Sequence, residues 1–490
     1  MKKMMVCLGL LLGIIGAQGQ TFSRYESTDG NFMRKSRANV KATTKAQGGV
    51  LLSVEKGASG TTFKAWGTCF NELGWDALTL LSDQEQTDLM RRLFAPDGDL
   101  RFTHGRVSMN ANDYARGWYC CDSVAGDFSL RYFNINRDKT TLIPYIKMAQ
   151  KANPALTCWM SPWSPPHWMK INNDYPVRSS QYSSMDPRKD AMLLEGADAE
   201  NKNVFPQRLS VQNYLIQDPR YLQTYANMFC RFIDLYRQEG ITIDMVMYQN
   251  EAWSYTPYPG CAWTADGIIL FNTKYLAPTL QKHHPEVDLY LGTINTNRRE
   301  VVDKIVGDDE MQHHIKGVGF QWEGGQRLPE IHQRYPQLNY ICSESECGHG
   351  TFDWRAAEHT FHLINHYLGN GCNEYCCWNA ILADGGVSPW GWKQNALVQV
   401  DSKTRQMRLC PEYYAYMHYS HFIDKGAQIV AYKETGDDRC PLLVAVSPAG
   451  KRIIVAGNLG DQNQTKTLRV GKKYVNIELK AHSFCTLVEK

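Results

Sequence analysis

A chain of 490 residues is longer than one simple hydrophobic core usually fills, and suits an α/β barrel with one smaller domain. Its hydrophobic share of 43% and aromatic share of 11% fit a packed globular protein rich in ring surfaces. The formal net charge of +3 is nearly balanced, so nothing in the composition calls for a nucleic-acid partner or an anionic membrane, and neutral substrates are favoured.

The chain begins with the pattern of an export signal. Lys2 and Lys3 precede an apolar run over 6–15, and Ala17-Gln18-Gly19 offers a small-x-small cleavage site. A signal peptide over 1–19 is therefore expected, with a secreted or periplasmic mature protein. The run is too short to cross a bilayer, and no later stretch approaches about 18 apolar residues, so no integral membrane span is expected. Of the 15 cysteines, Cys7 falls in the discarded segment. An exported protein could pair the remainder, although a core of this size does not need it. Their spacings lack the paired C-x-x-C knuckles of a structural zinc site, and no metal or cofactor is expected. Cys342 and Cys347 fit buried thiols better than metal ligands.

Residues 20–62 are polar, with one strand-like piece at 49–54. From there apolar runs alternate with amphipathic stretches. Strands are predicted over 63–70, 100–109, 156–164, 241–251, 289–294, 315–322, 338–344 and 373–379. Helices are predicted over 83–94, capped by Ser82, and over 221–239 and 354–368. Eight strands with helices between them predict a (β/α)8 barrel over 63–422. A long aperiodic insertion, 172–219, leaves the third strand on the face where such barrels carry their chemistry, and its Tyr175, Arg178 and Tyr182 could touch a long substrate. After 422 the runs shorten to 428–432, 441–446, 452–458, 467–470 and 483–488. This pattern predicts an antiparallel β-sandwich over 423–490, joined by residues 20–62.

Two of these runs place a glutamate at the strand end: Glu251 after ITIDMVMYQN, and Glu344 in LNYICSESE. A single strand-end carboxylate is usually solvated or paired with a nearby arginine. Two on one barrel suggest opposed carboxylates working on one bond, as in glycoside hydrolysis. Glu346 competes with Glu344, because residues two apart on a strand point to the same side. Arg106 and Asp113 close the second strand and could simply bridge loops. Trp163, Trp322 and Trp378 end strands, where rings can either pack in the core or stack on a pyranose.

Five segments in order then resemble glycoside hydrolase family 30, the family of glucosylceramidase and related β-glycosidases. They are RVSMNAND (106–113), SPWSPPHWMK (161–170), Gln249-Asn250-Glu251, CSESECG (342–348) and WNAILADGGVSPWGWKQN (378–395). The resemblance implies a barrel with a β-sandwich built from both chain ends. It also implies Glu251 as acid/base and Glu344 as nucleophile, since Ser343-Glu344 matches the family pair. Arg106, Asp113, Trp163, Asn250, Trp322, Trp378 and Asn395 are implied as substrate-binding residues. Three positions depart from the family pattern: Glu72 in WGTCFNELG, Asn-Glu-Ala at the acid/base, and Gln321-Trp322-Glu323 on the sixth strand. The expected activity is retaining hydrolysis of β-linked glucosides or gluco-oligosaccharides, with β-1,6-glucan among them. A xylan- or fucoside-active relative, or a carbohydrate-binding barrel without catalysis, is the alternative.

Overall fold

The apolar runs form eight parallel strands that are almost wholly buried, as expected of strands covered on both faces. In the computed structural model they are β1 (Ala65–Phe70), β2 (His104–Met109), β3 (Thr157–Pro162), β4 (Ile243–Met247), β5 (Asp288–Ile294), β6 (Gly317–Gln321), β7 (Asn339–Glu344) and β8 (Glu374–Asn379). They close in sequence order into one barrel. The structure describes residues 20–55, 57–192, 212–436 and 438–490, so the signal-like segment 1–19 and the middle of the long insertion lie outside the described residues.

Inward-facing Trp159, Met245, Met247, Tyr290, Ile341 and Cys376 fill the barrel. Helices cover it by burying one stripe each. Pro219–Gln238 buries Leu222, Tyr225, Phe229, Phe232 and Tyr236, at the three- and four-residue spacing of one helix face. Ser82 starts the helix Asp83–Phe94 with a reciprocal cap, accepting from Glu85 N while its own N–H donates to the Glu85 carboxylate.

At the N-terminal end of the barrel His104 sits between Glu374 and Asp244, 2.8 Å from each. Burial opposes its charge, but the two carboxylates outweigh burial and raise its pKa to about 10. Because the folded value lies above the usual 6.5, this contribution to stability is complete below about pH 6.5 and is lost as pH rises through about 10. His104→Leu should therefore destabilise the protein by about 3 kcal/mol near neutrality. In thermal denaturation the deficit should shrink towards pH 10, and a deficit independent of pH would show that the histidine acts by packing alone.

The smaller domain is a sandwich drawn from both chain ends. Its larger sheet runs Asn31–Lys35, Thr21–Thr28, Ser483–Glu489, Arg452–Asn458, Leu442–Val446, Gln428–Lys433 and Thr61–Thr62. The smaller runs Lys473–Leu479, Gln464–Val470 and Val50–Val54. Phe22, Leu442, Ile454 and Leu487 from one sheet meet Val54, Leu468, Val475 and Ile477 from the other. The expectation of an antiparallel sandwich needs one correction, because Val50–Val54 lies parallel to Gln464–Val470. A strand supplied by the distant N-terminal segment is not bound to the hairpin geometry that forces antiparallel neighbours.

All 14 cysteines among the described residues are unpaired, Cys342 and Cys347 included. No helix among the described residues is long and apolar enough to cross a membrane.

Candidate active site

Beyond the C-terminal ends of the strands lies an aromatic cluster that includes Trp163, Tyr175, Tyr258, Trp378 and Trp390, with Trp322 and Trp392 packed against it. It surrounds a cavity of about 250 Å³ lined by Asp113, Trp163, Asn250, Glu251, Tyr258, Trp322, Glu344 and Trp392, among others. This is the face on which parallel barrels carry their chemistry.

Arg106, on β2, organises the cavity floor. Its side chain is fully buried, and its guanidinium lies 4.3 Å from the Trp163 ring and 4.9 Å from Trp159. One edge donates to Glu344 Oε2 at 2.7 Å and to the Ser343 carbonyl at 3.2 Å. The other donates to Asn250 Oδ1 at 2.7 Å and to Ser161 Oγ at 3.0 Å. A planar fork of fixed donors suits such a task, since it orients two partners at once. Thr293 Oγ1 and Gln321 Nε2 also donate to Asn250 Oδ1, which turns the Asn250 amide nitrogen away from the floor.

Glu344 ends β7 and also accepts from Trp322 Nε1 at 3.3 Å. Burial pushes its pKa up to about 7, Arg106 opposes that rise, and the nearby Glu251 adds to it. A cation is thus held against Glu344, whereas Glu251 is held by neutral donors. Ser254 Oγ and Tyr258 OH donate to Glu251 Oε2 at 2.8 and 2.9 Å, and Gln321 Nε2 donates to Oε1 at 3.1 Å. Two acidic side chains thus face one cavity in different surroundings, one against a cation and one among neutral donors, the kind of contrast by which a carboxyl pair takes two roles. Asp113 carries a buried Oδ1 without a partner, and burial followed by the charges of Glu344 and Glu251 raises its pKa well above the usual carboxylate range.

Comparison with known proteins fits this geometry. The family model Glycosyl hydrolase family 30 TIM-barrel domain matches residues 63–183 and 213–423. The chain belongs to glycosyl hydrolase family 30. It is therefore a glycoside hydrolase of a β-glycosidase family, and its substrate is a carbohydrate.

Among curated relatives, Putative glucosylceramidase 1 of Caenorhabditis elegans is 25% identical, covering 88% of this chain and 81% of the relative. Endo-1,6-beta-D-glucanase of Neurospora crassa is 23% identical, covering 92% and 91%. Among solved structures, SrfJ from Salmonella typhimurium superposes with a TM-score of 0.81 at 20% identity, covering 96% of this chain and 99% of that one. The endo-beta1,6-glucanase BT3312 superposes with a TM-score of 0.76 at 19% identity, covering 96% and 98%.

Within this family 30 enzyme, Asp113, Trp163, Asn250, Glu251, Trp322 and Glu344 share the cavity, with Arg106 beneath them. Two candidates lie elsewhere. Trp378 is buried behind Trp163 at 5.2 Å between ring centroids and donates to Gln394, so it backs the cavity without lining it. Asn395 accepts from Gly350 N and Thr351 N and donates to the buried Glu412, which fixes the loop after β7. Glu72 also lies outside the cavity, in the first turn of the helix Glu72–Leu78 that Asn71 caps, and pairs with Arg137 at 2.7 Å. Glu251 lies four residues beyond β4 in a left-handed conformation, φ +48°, so its direction is set by the turn and not by strand alternation. Of the insertion residues, Tyr175 is stacked on Trp118 at 4.9 Å and Arg178 donates to the Tyr255 carbonyl, while Tyr182 is half exposed.

The sequence did not single out Ser254 or Tyr258. Gln321 stood out only as a departure from the family, and it bridges Glu251, Asn250 and Ser343.

Proposed function

We propose that this family 30 enzyme is a retaining β-glycosidase that cleaves β-linked glucosides and gluco-oligosaccharides, β-1,6-glucan among them. The observation that carries the reading is the fully buried Arg106, which holds Glu344 and Asn250 in one guanidinium fork on the floor of the cavity that Glu251 also lines. Glu344, held and oriented by that cation, attacks the anomeric carbon as its carboxylate. Glu251 gives its proton to the glycosidic oxygen as the bond to the leaving sugar breaks. In the second step the Glu251 carboxylate takes a proton from water, and the resulting hydroxyl displaces Glu344 from the sugar. Asn250, with its amide nitrogen turned from the floor, donates to the sugar 2-hydroxyl, and the lone Asp113 oxygen accepts from another hydroxyl.

Two relatives with endo-1,6-glucanase names support the glucan preference. The basic start and apolar run of residues 1–19 support export. Hydrolysis of an aryl β-glucoside and of β-1,6-linked gluco-oligosaccharides, followed by proton NMR, tests the reading. The β-anomer should appear first, and a crystal structure should place the two carboxyls about 5–5.5 Å apart. An inverted first product, or a separation near about 9 Å, would rule out retention. Turnover of aryl xylosides or fucosides in place of glucosides would move the substrate to the alternative sugars.

A further inference from the structure

The cavity has a direction, and the direction identifies where the departing half of the substrate travels. A general acid must stand beside the oxygen of the bond it breaks, so the leaving sugar lies on the acid's side. This step rests on the reading above that Glu251 is the acid. Tyr258, which donates to Glu251 Oε2 at 2.9 Å, packs its ring against Trp392 with centroids 5.8 Å apart. Trp392 lines the cavity and is carried by the tight hairpin 387–393, closed by pairing of Val387 with Lys393.

The next residue back along that hairpin is Gly391, at φ +84°. A Cβ there would stand 2.6 Å from Tyr182 Cε2. The glycine thus serves two needs, a left-handed backbone and close seating of an aromatic ring on the hairpin. Tyr182 is about half exposed although it is a large ring on the catalytic face, and it comes from the insertion after β3. Tyr258 and Trp392 are thus in contact beside the acid, and Tyr182 is seated on the same hairpin one residue from Trp392, at the surface. Two of them present partly open rings, the kind of surface on which the apolar face of a pyranose stacks.

We propose that Trp392 and Tyr182 form an aglycone track, with Trp392 receiving the first and Tyr182 the second sugar of a departing β-linked glucan chain. Tyr182 is then a specificity residue for chain length. Binding energy gathered on the leaving chain helps orient the bond under Glu251, so its loss is felt on oligosaccharides and not on a small aryl glycoside.

The test uses the second half-reaction, in which an acceptor enters by the path the leaving group took. The enzyme trapped with a 2-deoxy-2-fluoroglucosyl donor is reactivated by a β-1,6-linked glucose disaccharide as acceptor. In Tyr182→Ala the acceptor concentration for half-maximal reactivation should rise about five- to tenfold, and Tyr182→Phe should keep the original value. In parallel, the ratio of kcat/KM on a β-1,6-linked tetrasaccharide to kcat/KM on an aryl β-glucoside should fall about tenfold in Tyr182→Ala. Unchanged acceptor dependence, or equal loss on both substrates, would overturn the track. Failure of the parent reading would look different: the unsubstituted enzyme would not be trapped by the fluoro-sugar at all, and the track would fall with it.

Discussion

Glu344→Gln is expected to lower turnover of an aryl β-glucoside by on the order of 10⁴-fold or more, while Glu346→Gln stays within about threefold of the parent. The two glutamates are separated by one residue, yet they occupy different surroundings. Glu344 closes β7 with a buried arginine 2.7 Å away and faces the main cavity. Glu346 lies past the strand end and accepts from His359 Nε2 at 2.7 Å, on the helix Trp354–Gly369. It does not line the main cavity. A fluoro-sugar inactivator should accordingly label the peptide at Glu344. A label on Glu346, or collapse of activity in Glu346→Gln alone, would reverse the assignment.

Arg106→Met should be nearly as damaging, with kcat reduced by on the order of 10³-fold and folding stability by about 3–5 kcal/mol. The substitution leaves the buried Glu344 carboxylate and Asn250 amide oxygen each with one donor fewer. It should also move the pH profile. Arg106 lowers the pKa of Glu344 against burial, so its removal raises that pKa and protonates the attacking carboxylate at higher pH. The acid limb of kcat/KM should therefore shift upward. Arg106→Lys should retain part of the stability and little of the rate, because one ammonium cannot serve Glu344, Asn250 and Ser161 together. An unshifted acid limb in Arg106→Met would detach the arginine from the ionisation of Glu344.

The barrel was legible because strands covered on both faces read as near-continuous apolar runs, and the runs ending at Phe70, Met109 and Glu344 reach their predicted ends. The sandwich was harder to read. Thr21–Thr28 is polar along most of its length and buries chiefly Phe22 and Ser27, and Lys473–Leu479 opens on the half-buried Lys473 and Tyr474 and fully buries only alternate residues. Strands with one wet face and few apolar positions look like loops in sequence. In the site, the two glutamates could be read because charge at the end of an apolar run is conspicuous, whereas Arg106, expected at the end of its strand, lies inside it and was recognisable through the matching segment 106–113. Ser254 and Tyr258 could not, since they sit in the irregular segment after β4, where Glu251 itself adopts a left-handed backbone and no periodicity marks which side chains meet. Trp378 and Asn395 belong to matching segments, but whether such residues line or back a cavity depends on side-chain packing that no spacing encodes.

The pairing of Thr21–Thr28 with Ser483–Glu489 has a consequence for how the chain reaches its native state. Every residue of the barrel is synthesised between these two strands, so Thr21–Thr28 waits for Ser483–Glu489 before the two can pair. His418 then ties the two together, bonding Ser27 Oγ and Thr486 Oγ1 at 2.8 Å each. Contacts of such high sequence separation slow folding, because loop closure must precede the reward of the contact. Loss of only the final strand would strip both neighbours from the sheet centre, leaving Thr21–Thr28 and Arg452–Asn458 with open edges. Truncation at the C-terminus should therefore yield aggregation of the whole polypeptide, and not a shortened but active barrel.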